Sequence, residues 1–265
     1  MPRPRPVGVR PRHYVARGGA AILNVKGVRK PYRDPGTWLV IGLILIALYS
    51  IRHAFNSTTL LLFAVVVPAI ILHELAHGVA ALGFGDDTAK RAGRITLNPI
   101  RHIDPLGTIV LPAILALAGY GVFGYAKPVP INPSRMRHPR NDALLVSLAG
   151  PATNLLLAGL SVVALHLLHP RGLAYLFFPS VGDHALFLFG FVNVTLAVFN
   201  ALPIPPLDGS AVIARLLPPS ALTHWYTLTR VAMPILLVLV LLDPGRFLLH
   251  VFGPAERAFA RMVAS

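Results

Sequence analysis

The chain has 265 residues, 55% of them hydrophobic and only 13% charged, with a mean hydropathy of +0.65. A soluble domain carries about a quarter charged residues, so this composition excludes an ordinary soluble globule and describes an all-α polytopic membrane protein. With no cysteine there is no disulfide framework, thiol nucleophile or thiolate metal site, and any metal must be held by His, Asp, Glu or Asn. The formal charge of +14 invites a nucleic-acid reading, but nine of the 24 Lys and Arg lie in residues 1–34 and the others flank apolar runs. That distribution suits positive-inside topology and contact with anionic lipid, and no nucleic-acid partner is expected.

Residues 1–35, led by Arg3, Arg5, Arg10, Arg12 and Arg17, read as a disordered cytoplasmic tail resting on anionic headgroups. Residues 36–265 are expected to form a single membrane-embedded domain, with a core at about 59–215. A first, short span runs from about Trp38 to Ile51. The second occupies residues 59–84, where the only polar residues after Thr59 are His73, Glu74 and His77, in the order His-Glu-x-x-His. Residues four apart share a helix face, so His73 and His77 can offer two imidazole nitrogens to one metal. Glu74 can reach a water on that metal as general base. It is one of only two glutamates in the chain, and an ionisable group among leucines and valines at membrane depth is expensive, which favours a functional role over a chance polar cluster.

The stretch 95–135 is irregular. Thr108 to Phe123 is apolar but broken by Pro112, Gly119 and Gly121, and basic clusters lie on both sides of it. A re-entrant segment reconciles that pattern with a cytoplasmic location for both clusters, and such backbone is tolerated at membrane depth where it lines a cavity. The following Gly124-Tyr125-Ala126-Lys127-Pro128-Val129-Pro130-Ile131-Asn132-Pro133 reads as an extended, short β-like strand, since its prolines forbid helix. Further spans are expected at about Ala143–Leu168, Ala185–Leu202 and Val231–Leu242, with an extension of the last through Phe247 to Phe252 left open. About five or six transmembrane helices are expected in all, plus the re-entrant or irregular segment with its short β-like strand.

Two histidines leave a catalytic zinc short of a third protein ligand. Most acids sit in loops among basic residues. Asp208 differs, because it follows the proline-broken end of an apolar helix and precedes Gly209; Asp104, with His102 nearby, is its competitor. Asp208 is favoured, and both stay open on residue chemistry alone. Small residues at Ala149, Gly150 and Ala152 allow close helix packing.

His73-Glu74-Leu75-Ala76-His77, Gly150-Pro151-Ala152-Thr153-Asn154 and Asn200-x-x-Pro203-x-Pro205-Pro206-Leu207-Asp208-Gly209 resemble, in order, the three signatures of site-2 proteases, the intramembrane zinc metalloproteases. The resemblance covers roughly residues 59–215 and is to a compact form without a PDZ domain. It implies one Zn2+ held by His73, His77 and Asp208, with Glu74 activating water and Asn154 near the metal holding the scissile carbonyl. It further implies hydrolysis of membrane-anchored protein substrates by a multi-pass cell-membrane enzyme with a cytoplasmic N-terminus. The stretch around Lys127-Pro128-Val129 resembles a part of such enzymes expected to pair with an unwound substrate strand. The family's last motif often ends Asp-Gly-Gly, where this chain has Asp208-Gly209-Ser210. A membrane metal-binding or transport protein using the same His and Asp ligands is the rival reading, since transporters also bury such groups at broken helices. It is disfavoured because one helix alone carries a ligand cluster and no repeat symmetry appears. A catalytically dead scaffold is disfavoured because every expected catalytic position is filled.

Overall fold

Uninterrupted apolar sequence makes the first described element a long helix, α1, over Ser57–Gly83, with Pro68 accommodated inside it. A computed structural model describes residues 57–111, 125–170, 178–242 and 246–265. The basic tail, the span expected at 38–51 and most of the segment 108–123 lie outside the described residues. Helix α1 stops where glycine lets the chain reverse. The Gly85 N–H bonds to the Leu82 carbonyl and the Asp86 N–H to that of Ala81, with Gly85 at φ +104°, a conformation that favours glycine.

The turn is locked by Asp86, which is fully enclosed. Its Oδ1 accepts the Thr88 N–H at 3.0 Å and the Thr88 hydroxyl at 2.5 Å, and its Oδ2 accepts the Asn132 N–H at 2.6 Å. Burial pushes the Asp86 carboxyl up, but these donors and the nearby Arg135 charge outweigh it and hold the group below the ordinary carboxylate range. Its folded-state pKa is therefore depressed, and the stabilisation is present above the unfolded value of about 3.9 and lost as pH falls through the lowered folded value. Asp86→Ala strands two backbone donors and one hydroxyl, and should cost about 1–3 kcal/mol of stability at neutral pH. Thermal melting in detergent checks this. The difference from the parent should shrink under acid, and a pH-independent difference would contradict the assignment.

Beyond a single helical turn, α2 at Thr88–Arg91, the chain runs through short turns at Pro99–His102 and Pro105–Val110. Residues 125–132 are extended, but no strand forms among the described residues, which corrects the β-like expectation. The physical reason is the prolines. On one edge Lys127 donates its N–H to the His102 carbonyl but Val129 donates to the Glu74 carboxylate instead of a neighbouring strand, and on the other edge Pro128 and Pro130 have no N–H to give, so neither edge completes a ladder.

Helix α3, Pro139–Leu168, opens with proline at its first turn and with Asp142 accepting the His138 N–H at 2.7 Å. Helix α4, Val181–Ala201, begins with a reciprocal Ser180–Asp183 capping box and ends where Pro203, Pro205 and Pro206 forbid continuation. The Pro205–Pro206 bond is cis. Short α5, Ser210–Leu216, then leads to α6, Pro219–Leu242, and α7, Arg246–Ala264.

Three of these helices, over Leu60–Gly83, Pro139–Leu168 and Val181–Ala201, are long and apolar enough to cross a membrane, fewer than the five or six expected. One expected span lies outside the described residues. The span expected at 231–242 falls in α6, which is not one of these three, and the following α7 carries Arg246, Glu256, Arg257 and Arg261. Its apolar side buries Phe259 and Val263 against Ala158 and Leu165 of α3 and Val194 of α4. Helices α1, α3 and α4 pack together, and that trio positions the site.

Candidate metal centre

The helical period sets the site's first half. His73 and His77, both buried, lie one turn apart on the side of α1 that meets α3. On α3 the residues Val146, Gly150 and Asn154, also at intervals of four, form the opposing stripe. The His77 Nδ1 donates to the Val146 carbonyl at 2.7 Å, and the His73 Nδ1 is hydrogen-bonded to Asn154 Oδ1. Between these contacts Gly150 leaves the imidazoles room: a Cβ built there would lie 2.6 Å from His73 Nε2 and closer still to His77 Nε2. Gly150 is therefore small for the sake of the histidines rather than for helix packing in general.

The second half comes from the break after α4. The Gly209 N–H bonds back to the Asn200 carbonyl at 2.6 Å, and a Cβ at Gly209 would strike the carbonyls of Ala201 and Leu202, so only glycine permits this return. Ser147 Oγ of α3 donates to the Asp208 carbonyl at 3.1 Å. The Asp208 carboxylate is thereby brought to the histidines, with Oδ2 3.0 Å from His73 Nε2 and 3.3 Å from His77 Nε2, the two nitrogens being 3.1 Å apart. Asp104, the competing third ligand, is spent elsewhere: its Oδ1 accepts the N–H groups of Leu106 and Gly107 at 3.0 and 2.8 Å.

The chemistry of these three atoms shows what they suit. A backbone carbonyl only accepts, so His77 carries its proton on Nδ1 and turns a lone pair on Nε2 into the site. The Asn154 Oδ1 imposes the same tautomer on His73. With both imidazoles neutral, two lone pairs and a carboxylate oxygen face one another at 3.0–3.3 Å. Asp208 Oδ2 is buried without a hydrogen-bond donor among the described residues. Such a triangle is repulsive unless a proton or a metal cation lies against it. Tetrahedral zinc, at about 2.0–2.1 Å from N and O donors, requires edges of about 3.3–3.4 Å, within a few tenths of those found. His73, His77 and Asp208 form the group able to hold a metal among the described residues, and the donor set fits zinc.

Glu74 lies beside this triangle, its Oε2 accepting the Val129 N–H at 2.8 Å. It lines a cavity of about 380 Å3 together with His77, Asp208 and Val129, and the same cavity reaches Arg140 and Trp225. Asn154 is not where the expected carbonyl-holding role would put it. It is fully buried behind His73, on the Nδ1 side away from the triangle, and its Nδ2 donates to Asn193 Oδ1 at 2.6 Å. Both ends of its carboxamide are engaged. The sequence shows Asn193 inside the apolar span at about 185–202 without giving it a role, and gives no sign of the Val146 carbonyl; the signal for Asn193 is an amide side chain in the middle of an apolar run.

Two histidines and an aspartate converging on a cation position within a bundle of membrane-length helices, with a glutamate at its edge, define a membrane metalloprotein with the donor set of a metallohydrolase. Relatives agree. The chain is 40% identical over 201 residues to the "Putative zinc metalloprotease YwhC" of Bacillus subtilis, covering 75% of this chain and 89% of that protein. It is 33% identical over 202 residues to the "Putative zinc metalloprotease Rip2" of Mycolicibacterium smegmatis, covering 71% and 72%. An archaeal relative, the "Putative zinc metalloprotease MJ0611" of Methanocaldococcus jannaschii, is 30% identical over 165 residues, 60% of this chain and 74% of that one. No protein-family model matches the chain. No solved structure matches it. The chain belongs to the zinc metalloprotease family that these relatives represent.

Proposed function

We propose that the chain is an intramembrane zinc metalloprotease of the site-2 type, hydrolysing peptide bonds in or near the transmembrane segments of membrane-anchored proteins. The observation that carries this reading is that His73, His77 and Glu74 lie on the apolar, membrane-length helix α1 and that Asp208, from the break after α4, converges on the two histidines. His73, His77 and Asp208 hold one zinc per chain. Bound zinc supplies Lewis acidity, polarising a carbonyl and lowering the pKa of water towards about 7. The chain's own groups do the remainder. Glu74, oriented by the Val129 N–H, takes the proton of the attacking water at its carboxylate and returns it to the departing amine nitrogen. The cavity beside it, lined also by Val129 and Asp208, is where water and an extended peptide would enter. A substrate helix hides its peptide bonds in internal hydrogen bonds and must unwind locally to enter, and the extended 125–132 wall is where the unwound stretch lies. The enzyme is a multi-pass cell-membrane protein with its basic N-terminus cytoplasmic, against anionic headgroups.

Chain reconstituted in vesicles, assayed in parallel for cleavage of a membrane-anchored peptide and for zinc flux, tests the reading. Cleavage that disappears on chelation and returns with zinc, without flux, is the expected result. Flux without cleavage would replace the protease by a metal transporter.

A further inference from the structure

We propose that Asn193 of α4 is a positioning residue of the metal centre, acting through Asn154 to keep His73 in the one tautomer that can ligate. This rests on the zinc reading of His73, His77 and Asp208. The relay begins at a group that cannot change its role. The Phe189 backbone carbonyl only accepts, and the Asn193 side chain lies 2.7 Å from it, so the end of the amide facing it is Nδ2. Oδ1 of Asn193 therefore points the other way, towards Asn154 at 2.6 Å. An oxygen there can be met only by an N–H, which places Nδ2 of Asn154 against Asn193 and Oδ1 of Asn154 against Nδ1 of His73. An oxygen at that point requires the His73 proton on Nδ1. In the neutral imidazole the lone pair is then on Nε2, which faces Asp208 and His77.

Two histidines are thus set by backbone carbonyls, one directly through Val146 and the other at two removes through Phe189. Without Asn193, nothing distinguishes the two ends of the Asn154 amide. Turned over, Asn154 would present N–H to His73, move the imidazole proton to Nε2 and aim it into the cation position. Asn154 and Asn193 are both fully buried, so water has no access to take over the missing bond. In an apolar bundle, each end of such an amide is costly to leave unmade, which is what makes the orientation a two-state choice.

Zinc affinity of the full chain in detergent, measured by competition with a chromophoric chelator, tests the relay. Asn193→Leu, close in shape but without donor or acceptor, is expected to weaken zinc binding by about 10–100-fold, the usual cost of losing such an outer partner. Asn193→Ala gives the same reading should the leucine variant not fold. Asn193→Asp is the conservative rescue. Its neutral carboxylic acid donates its hydroxyl to Phe189 and accepts from Asn154, so its affinity should match the parent's. In an Asn154→Ala background, Asn193→Leu should weaken zinc no further, because the relay is already cut. A role confined to packing α3 on α4 would instead add in that background and would lower the melting temperature of the zinc-free chain without the aspartate rescuing affinity. Parent-like zinc binding by Asn193→Leu, or additive losses in the cycle, overturns the relay alone. A parent chain whose zinc binding is indifferent to His73→Ala overturns the zinc reading, and the relay with it.

Discussion

Glu74→Gln is expected to lose about 100-fold or more in the rate of peptide cleavage while retaining a full equivalent of zinc. General-base catalysis by a positioned carboxylate contributes about 10²–10⁴-fold, and the amide has no basicity to replace it. Retention of zinc follows from geometry, because the three converging donors are His73, His77 and Asp208, and Glu74 is occupied by the Val129 N–H. The glutamine Oε1 can accept that same N–H, so the wall at 125–132 keeps its anchor and the variant should fold as the parent does. Metal analysis of purified variant beside a single-turnover cleavage assay reads both quantities. Cleavage at the parent rate would remove Glu74 from the mechanism. Loss of zinc together with activity would make it a ligand instead of a base.

Gly150→Ala is the second large effect, and it comes from one methyl group. That methyl would fall 2.6 Å from His73 Nε2 and nearer to His77 Nε2, inside any permitted contact, and at the atoms that must ligate. Either the imidazoles turn away or α1 and α3 separate, and in both cases the donor triangle is lost. Zinc affinity should fall by at least about 100-fold, beyond the range of an outer-partner loss. Gly159→Ala on the same helix is the control, since a Cβ there meets nothing within 4 Å. Alanine in a helix interior is favoured over glycine by about 1 kcal/mol, so that variant should bind zinc normally and melt no lower than the parent. Equal zinc affinity in both variants would show that the close approach of α3 to the histidines is not what the site requires.

Much of the site is legible in the amino-acid sequence, for reasons that are local. An apolar run long enough to cross a bilayer makes a helix whatever surrounds it, and the helical period then puts His73 and His77 on one face. Coordination chemistry makes an adjacent glutamate meaningful. The third ligand is harder to read: Asp208 and Asp104 both follow or precede turns, and only the return of Gly209 onto Asn200, with Asp104 spent on Leu106 and Gly107, separates them. The strand expected at 126–132 does not form because extended backbone is local, whereas a ladder needs donors that Pro128 and Pro130 lack. Helix α7 resembles the continuation of a span when its apolar residues are counted without their phase. In the fold, Phe259 and Val263 face α3 and α4, and Glu256 also meets α4, its Oε1 accepting the Thr195 hydroxyl at 3.1 Å.

By itself, the sequence determined the membrane-length helices, the two-histidine stripe with its glutamate, and the restriction of any metal to nitrogen and oxygen ligands. Those properties depend on the period of a helix and the chemistry of side chains, and need no partner. The tertiary structure decided which acid completes the triangle, why Gly150 is bare, and that Asn154 serves His73 from behind. The first turns on a backbone return and the second on steric contact between helices; the third turns on the direction of a lone pair or an N–H, set across helix interfaces by backbone carbonyls such as those of Val146 on α3 and Phe189 on α4. An asparagine reads the same in sequence whichever way its amide points; here a carbonyl on another helix orients it.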